Sequence, residues 1–320
     1  MLPLPDSVSR SSLLACGYSD ASLRRLRQSD PSVRLRRGRY LAPPAPTLTP
    51  ELRHVVRAVE IGQSLRSGGV ISHTSAALLH GLPMIGAPPE RIDVTWPGSP
   101  GRRPTHNVRP RRAQVHDDEI TSIRGVHVTS VARTVYDLAR SRDVRRRDAL
   151  GVADAALHEN LCTLDDLTQT LRANAGRPGC GRARSIISFA DPRAESIGES
   201  LTRALFGSIG MPEPELQVEV DDAREPGFAR VDFLFFEQDT VAEFDGKVKF
   251  ERYLRPGETP AQAAYREKVR EDRIRDCGLQ VVRFVWRDLA DPVATTRRLT
   301  EAFVRSGCAH WQPGPPRFLP

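Results

Sequence analysis

The sequence predicts a multidomain α+β protein that ends in an α/β domain, and three observations carry that prediction. Residues 9–42 compress two short helical patterns and a basic turn into one unit. Residues 46–190 alternate helix-period stretches with short strand-like runs. Residues 192–305 read helix, three strands, helix, strand, helix. At 320 residues the chain has room for about two or three domains on the usual size scale.

In the first unit, residues 9–16 form a short helix that Gly17 ends. Ser19 or Asp20 caps a second helix running through residue 28, with Leu23 and Leu26 on its inner face. Val33, Leu35, Tyr40 and Leu41 then flank an Arg-Arg-Gly-Arg turn. Two helices followed by a small basic hairpin describe a winged helix-turn-helix, placed at residues 1–45. Those residues hold eight arginines against three aspartates, most of the net charge of +7. Arg24, Arg25 and Arg27 on the second helix and Arg36, Arg37 and Arg39 at the turn are the candidate DNA contacts, because guanidinium groups grip backbone phosphates.

Pro43, Pro44 and Pro46 read as a stiff linker into the middle region, residues 46–190. A helix over 51–65 stops at Gly68-Gly69. VISHTSAALLHGLP gives a strand that enters a helix capped by Ser72 or Thr74, and RIDVTWP, HNVRPRRAQ and GVHVTS read as strands. Thr129-Ser130 precedes the helical VARTVYDLAR. The scattered His73, His80, His106, His116 and His127 have no paired acids, which favours structural roles over metal binding.

The third unit spans residues 191–308, with 309–320 a loose proline-rich tail. Its first helix carries Glu195 and Glu199 one turn apart and so on one face. VDFLFFEQDTVAEFDGKVKF, residues 231–250, reads as a hairpin about Glu237-Gln238-Asp239. Strand alternation puts Glu243, Asp245, Lys247 and Lys249 on one face, with Asp232 opposite on the neighbouring strand. Acids on a half-buried sheet face need compensating charge, and a magnesium ion would supply it. Hard oxygen ligands beside a lysine suit phosphodiester hydrolysis; an exposed amphipathic hairpin is the other reading of the same pattern.

The net charge and pI near 9.5, carried by arginine, favour polyanionic partners. The five cysteines stand singly with no ligand spacing, which points to the cytosol rather than to a zinc site or disulfide framework. No apolar run reaches the roughly 20 residues that span a bilayer, so neither secretion nor membrane insertion is expected.

A helix with Glu, then V-D-F, E-x-D-G, an Arg/Glu-rich helix ending at Gly, and V-V-R-F resembles the very-short-patch-repair-like branch of the PD-(D/E)XK nucleases, over residues 192 to about 305. That resemblance implies a restriction-endonuclease-like α/β core. In it Asp232 and Glu243 bind Mg²⁺ or Mn²⁺, Asp245 or Glu199 adds a carboxylate, and Lys247 or Lys249 positions water, since Asp245 stands where a lysine is usual. Residues 9–175, through LLACGYSDASLRRLRQ, SHTSAALLHGL and TSVARTVYDLA, resemble the AbiEi antitoxins of type IV toxin–antitoxin systems. This second resemblance implies operator binding, autorepression and a cognate toxin partner. Together they lead to a metal-dependent DNA endonuclease delivered by a winged helix, or to a non-enzymatic repressor or antitoxin with an inactive nuclease fold.

Overall fold

The structure is a computed structural model that describes residues 5–29, 33–42, 48–65, 68–97, 105, 107–221, 228–246 and 257–319, without the side chain of Arg36. Two units divide the chain. One comprises residues 1–141 and 161–183, the other 142–160 and 184–320. The middle region expected over 46–190 is therefore shared, and its segment 142–160 joins the C-terminal unit.

In the first unit, β1 (Ser7–Ser9) precedes α1 (Arg10–Ala15) and α2 (Asp20–Ser29), and β2 (Arg34–Arg36) and β3 (Arg39–Leu41) follow in a sheet of order β1-β3-β2. The leading strand has only three residues, too few for a period of two to register in the sequence. Gly38, at φ +78°, makes the turn between β2 and β3. Leu13, Leu23, Val33 and Tyr40 close a small core beneath α1 and α2.

The same unit continues through α3 (Pro50–Gly62), β4 (Val70–Ile71), α4 (His73–Leu79), β5 (Ile92–Thr95), β6 (Val108–Arg111), β7 (Ile120–Ile123), β8 (Val126–Thr129) and α5 (Val131–Arg140), with α7 (Leu164–Ala173) added later. Its sheet runs β6-β5-β4-β8-β7, with β4/β8 and β5/β6 parallel. The SHTS and TSVARTVYDL stretches converge inside it. His80 Nε2 meets the Thr129 carbonyl at 2.7 Å, and Thr129 bonds Thr134 through their hydroxyls. Arg133, fully buried, binds Asp137 at 3.0 Å and Glu119, while Arg140 binds the other Asp137 oxygen. Such a network is costly to break, because deleting one partner strands a buried charge. His54 and His73 are structural in this sense: His54 bridges Pro89 and Ser75, and His73 bonds Ser72. His106 lies outside the described residues.

The second unit comprises α6 (Arg146–His158), the last four residues of α8 (Cys180–Ile187), α9 (Ile197–Ser208), β9 (Glu215–Val220), β10 (Ala229–Phe235), β11 (Thr240–Phe244), α10 (Pro260–Asp276), β12 (Gln280–Phe284) and α11 (Pro292–Arg305). The sheet order is β12-β11-β10-β9, antiparallel except for the parallel β11/β12 pair. Phe206 of α9 packs against Phe233, Phe235 and Phe284, and Phe303 of α11 extends the ring cluster. On the opposite face Leu234 and Val241 are buried with Ile274 of α10.

Two expectations change here. Helix α9 starts after Glu195, with Ser196 as its cap, so Glu195 and Glu199 do not share a helical face. The tail is pinned rather than loose: Gly314 and Arg317 donate backbone hydrogen bonds to Gly210 and Gly207, and Phe318 is buried against Phe189.

Burial depresses His54 and His73 to about 4 from the ordinary 6.5, so the folded state refuses protons that the unfolded chain accepts. Their contribution to stability is complete above pH 6.5 and is lost as pH falls towards 4. Urea unfolding should show a loss of about 2 kcal/mol per histidine between pH 7 and 5. A His54→Gln variant should lose its share of that slope.

Candidate functional site

In the C-terminal unit, Asp232, Glu243 and Asp245 line one pocket of about 330 Å³ together with Phe244, Arg230, Arg266, Arg270 and Arg283. The strands dictate the convergence. The β10/β11 ladder pairs Phe233 with Ala242, and beyond that register the Phe244 amide donates to Asp232 Oδ2 at 2.8 Å instead of to a backbone carbonyl. On the other side the Asp245 amide donates to the Phe284 carbonyl at 2.7 Å, which draws Asp245 over the end of the parallel pair.

Glu243 lies between those two acids and is buried. The parallel register sets it beside Arg283, whose guanidinium stands 3.4 Å from Oε2, while Arg270 of α10 donates to Oε1 at 2.6 Å. Each arginine is itself anchored. Glu267 binds Arg270 at 2.6 Å and Arg283 at 2.5 Å, and Glu271 lies 2.9 Å from Arg283 Nε. Glu267, Arg270 and Glu271 stand at i, i+3 and i+4 and so present one face of α10 to the sheet. Burial pushes the Glu243 carboxyl up against the pull of both guanidinium groups, and nearby Asp232 adds to the rise. Burial opposes the charge of Glu267 too, yet its hydrogen bond from Arg270 wins and holds it low.

Arginine therefore supplies the positive charge that the acids required. The described residues as they stand do not fit a divalent cation. Both Glu243 oxygens face guanidinium groups, and among the described residues no three acidic, histidine or cysteine side chains gather closely enough to form a cage. Glu199, expected to add a carboxylate, does not line this pocket. It accepts from the Glu195 amide, the Ser196 hydroxyl and Gln217 Nε2, which closes the start of α9. Gln217 reaches it from a left-handed backbone, φ +54°, on the strand beside β10. Lys247 and Lys249 lie outside the described residues.

Sequence reasoning found the three acids but missed Arg270. The signal was present in the Glu267, Arg270, Glu271 spacing, which reads as an exposed ion-paired helix until the register of β12 is known. Arg273 of the same helix has its guanidinium 4.2 Å from the centre of the Phe228 ring.

A second cationic site lies in the first unit, where α2 and the β2–β3 turn enclose a pocket lined by Arg10, Arg24, Arg27, Arg34, Arg37 and Tyr40. Asp20 neutralises Arg10 through a pair at 2.6 Å. Arg24, Arg25, Arg27 and Arg37 are exposed, as the sequence predicted. Arg39 is not part of that surface. It pairs with buried Glu60 of α3 at 2.9 Å and donates to Ser7, so its work is to fasten the β2–β3 hairpin to α3.

No protein-family model matches the chain. Two uncharacterized proteins of Mycobacterium tuberculosis, MT2308 of strain CDC 1551 and Rv2248, are each 31% identical to it over 167 residues. That match takes in 52% of the chain and 58% of each relative, so the chain spans little more than half the length of these curated relatives. Among solved structures, the crystal structure of the RV2827C protein from Mycobacterium tuberculosis aligns with 58% of the chain and 72% of its own length, at 18% identity and a TM-score of 0.38.

Arg270→Met removes the shorter of the two contacts to Glu243 and leaves that carboxylate under-compensated. Stability at pH 8 should fall by about 1–3 kcal/mol. Because the variant raises the Glu243 carboxyl further, the penalty is largest well above its ordinary range and shrinks as acid protonates it. Urea midpoints of both proteins at pH 8 and pH 5 check the sign: a gap that widens in acid contradicts it.

Proposed function

We propose that this chain is a DNA-binding protein whose basic winged unit grips duplex backbone. The observation that carries the reading is the group of exposed arginines, Arg24, Arg27 and Arg37, converging from α2 and the wing on one cationic pocket. Arg25 extends the surface along α2. Their flat guanidinium groups suit bidentate contacts to phosphate oxygens, which set register and supply affinity without reading sequence. As a repressor, or an antitoxin with a cognate toxin partner, the protein would act by occupying the promoter of its own operon.

Phosphodiester hydrolysis is the second reading, favoured by the gathering of Asp232, Glu243 and Asp245 in one arginine-rimmed pocket. It calls for Mg²⁺ or Mn²⁺ to displace the Arg270 and Arg283 guanidinium groups from Glu243. Cleavage of single-stranded, duplex, mismatched or branched DNA with either ion, abolished by Asp232→Ala and by Glu243→Ala, would establish it over the non-enzymatic reading.

For the primary reading, fluorescence anisotropy with a duplex carrying the chain's own promoter should give binding that weakens steeply with salt. Four phosphate contacts correspond to a log–log slope near −4 (about −0.9 per contact), and Arg24→Ala with Arg27→Ala should flatten it by about two. Binding should survive Asp232→Ala unchanged. A salt-independent affinity, or one indifferent to Arg24 and Arg27, refutes the assignment.

A further inference from the structure

Asp20 is the one acid among the described residues that line the pocket between α2 and the β2–β3 turn. Arg24, Arg27, Arg34 and Arg37 line it too, and none of the four has a carboxylate partner among the described residues. Arg10 is the exception. Its Nε donates to Asp20 Oδ1 at 3.1 Å, and its Nη2 reaches both carboxylate oxygens at 2.6 Å. One guanidinium taking two oxygens of one anion is also how arginine grips a phosphate.

The fold asks little of this acid. Asp20 opens α2 but does not cap it: the Ser22 amide donates to Ser19 Oγ at 3.1 Å, and the Ser22 hydroxyl donates back to the Ser19 carbonyl. A carboxylate in the first turn of a helix is mildly favourable, and an exposed ion pair adds little to stability. This pair is exposed, with 47% of the Arg10 side chain and 59% of the Asp20 side chain in solvent. What Asp20 changes is the field of the pocket. The hydrogen bond from Arg10, helped by the charge of Arg24, holds its carboxyl below the ordinary range, so it stays ionised at neutral pH. One positive charge of the pocket is therefore spent before any ligand arrives.

We propose that Asp20 limits the affinity of this pocket for duplex DNA, by filling the Arg10 fork with a carboxylate and standing as a like charge against the backbone phosphates. The proposal rests on reading the neighbouring arginines as duplex contacts, and it assigns the tuning of that contact to one acid. Removing the acid frees Arg10 as an additional phosphate contact.

Anisotropy with the full chain and the promoter duplex, run over a salt series, tests it. Asp20→Asn keeps the shape of the side chain and removes its charge. It should bind about tenfold more tightly at ~0.1 M salt and steepen the log–log slope by about one, the effect of one added phosphate contact. Asp20→Ser should show the same gain, which separates the loss of charge from any effect particular to asparagine. Adding Arg10→Met to Asp20→Asn should bring the affinity back to within about twofold of wild type, because the freed guanidinium carries the gain. Wild-type binding that Asp20→Asn and Asp20→Ser leave unchanged, or weaken, overturns the proposal and spares the reading of the basic unit as DNA-binding. A double variant that binds as tightly as Asp20→Asn overturns the part given to Arg10. A gain seen with an RNA duplex and not with the promoter overturns the assignment to DNA. Absence of duplex binding by every form, Asp20→Asn included, overturns both.

Discussion

The ion-paired lattice around Glu243 is the constraint on which the C-terminal unit depends. A carboxylate on the inner face of a sheet is expensive unless its charge is met, and here two arginines meet it from two elements. Arg283 arrives by the parallel register of β11 with β12, and Arg270 by the helix that precedes β12. Glu267 and Glu271 then fix both guanidinium groups, so α10 is locked to the sheet by charge as well as by buried Ile274. This explains how a long helix with few buried side chains keeps a defined rotation against the strands.

That lattice also shapes the pocket. Its lining mixes acids with arginines, and Asp232 and Asp245 stand beside Arg230, Arg270 and Arg283, each of them held by a glutamate. The first unit treats charge in two ways at once. Arg39 and Arg133 are spent on buried partners, whereas Arg24, Arg25, Arg27 and Arg37 stay exposed. Structural and surface arginines are thus separated by whether an acid lies in reach, not by their density in the sequence.

Much of the fold was legible because the periods were clean. The order helix, three strands, helix, strand, helix in the C-terminal unit follows from alternation in 215–244 and from helical spacing in 260–276 and 292–305. The order of α1, α2 and the β2–β3 hairpin was equally readable, save for β1, which is too short to show a pattern. What the residues could not reveal was long-range pairing. Arg39 looked like its neighbours until α3 brought Glu60 to it, and Glu199 looked available until its own helix start consumed it. The tail read as loose because backbone hydrogen bonds to Gly207 and Gly210 leave no trace in composition.

The candidate site was legible in its acids and not in its counter-charge. Asp232, Glu243 and Asp245 were found by strand alternation, and the need for a positive partner followed from elementary electrostatics. The identity of that partner did not, since a magnesium ion and a pair of arginines satisfy the same requirement. Diffraction from crystals of the intact chain soaked in Mn²⁺, with anomalous scattering at the manganese edge, decides between them most directly. The arginine-compensated site predicts Arg270 and Arg283 on Glu243 with no manganese peak there. A peak bridging Asp232 and Glu243, with both guanidinium groups displaced, would contradict it.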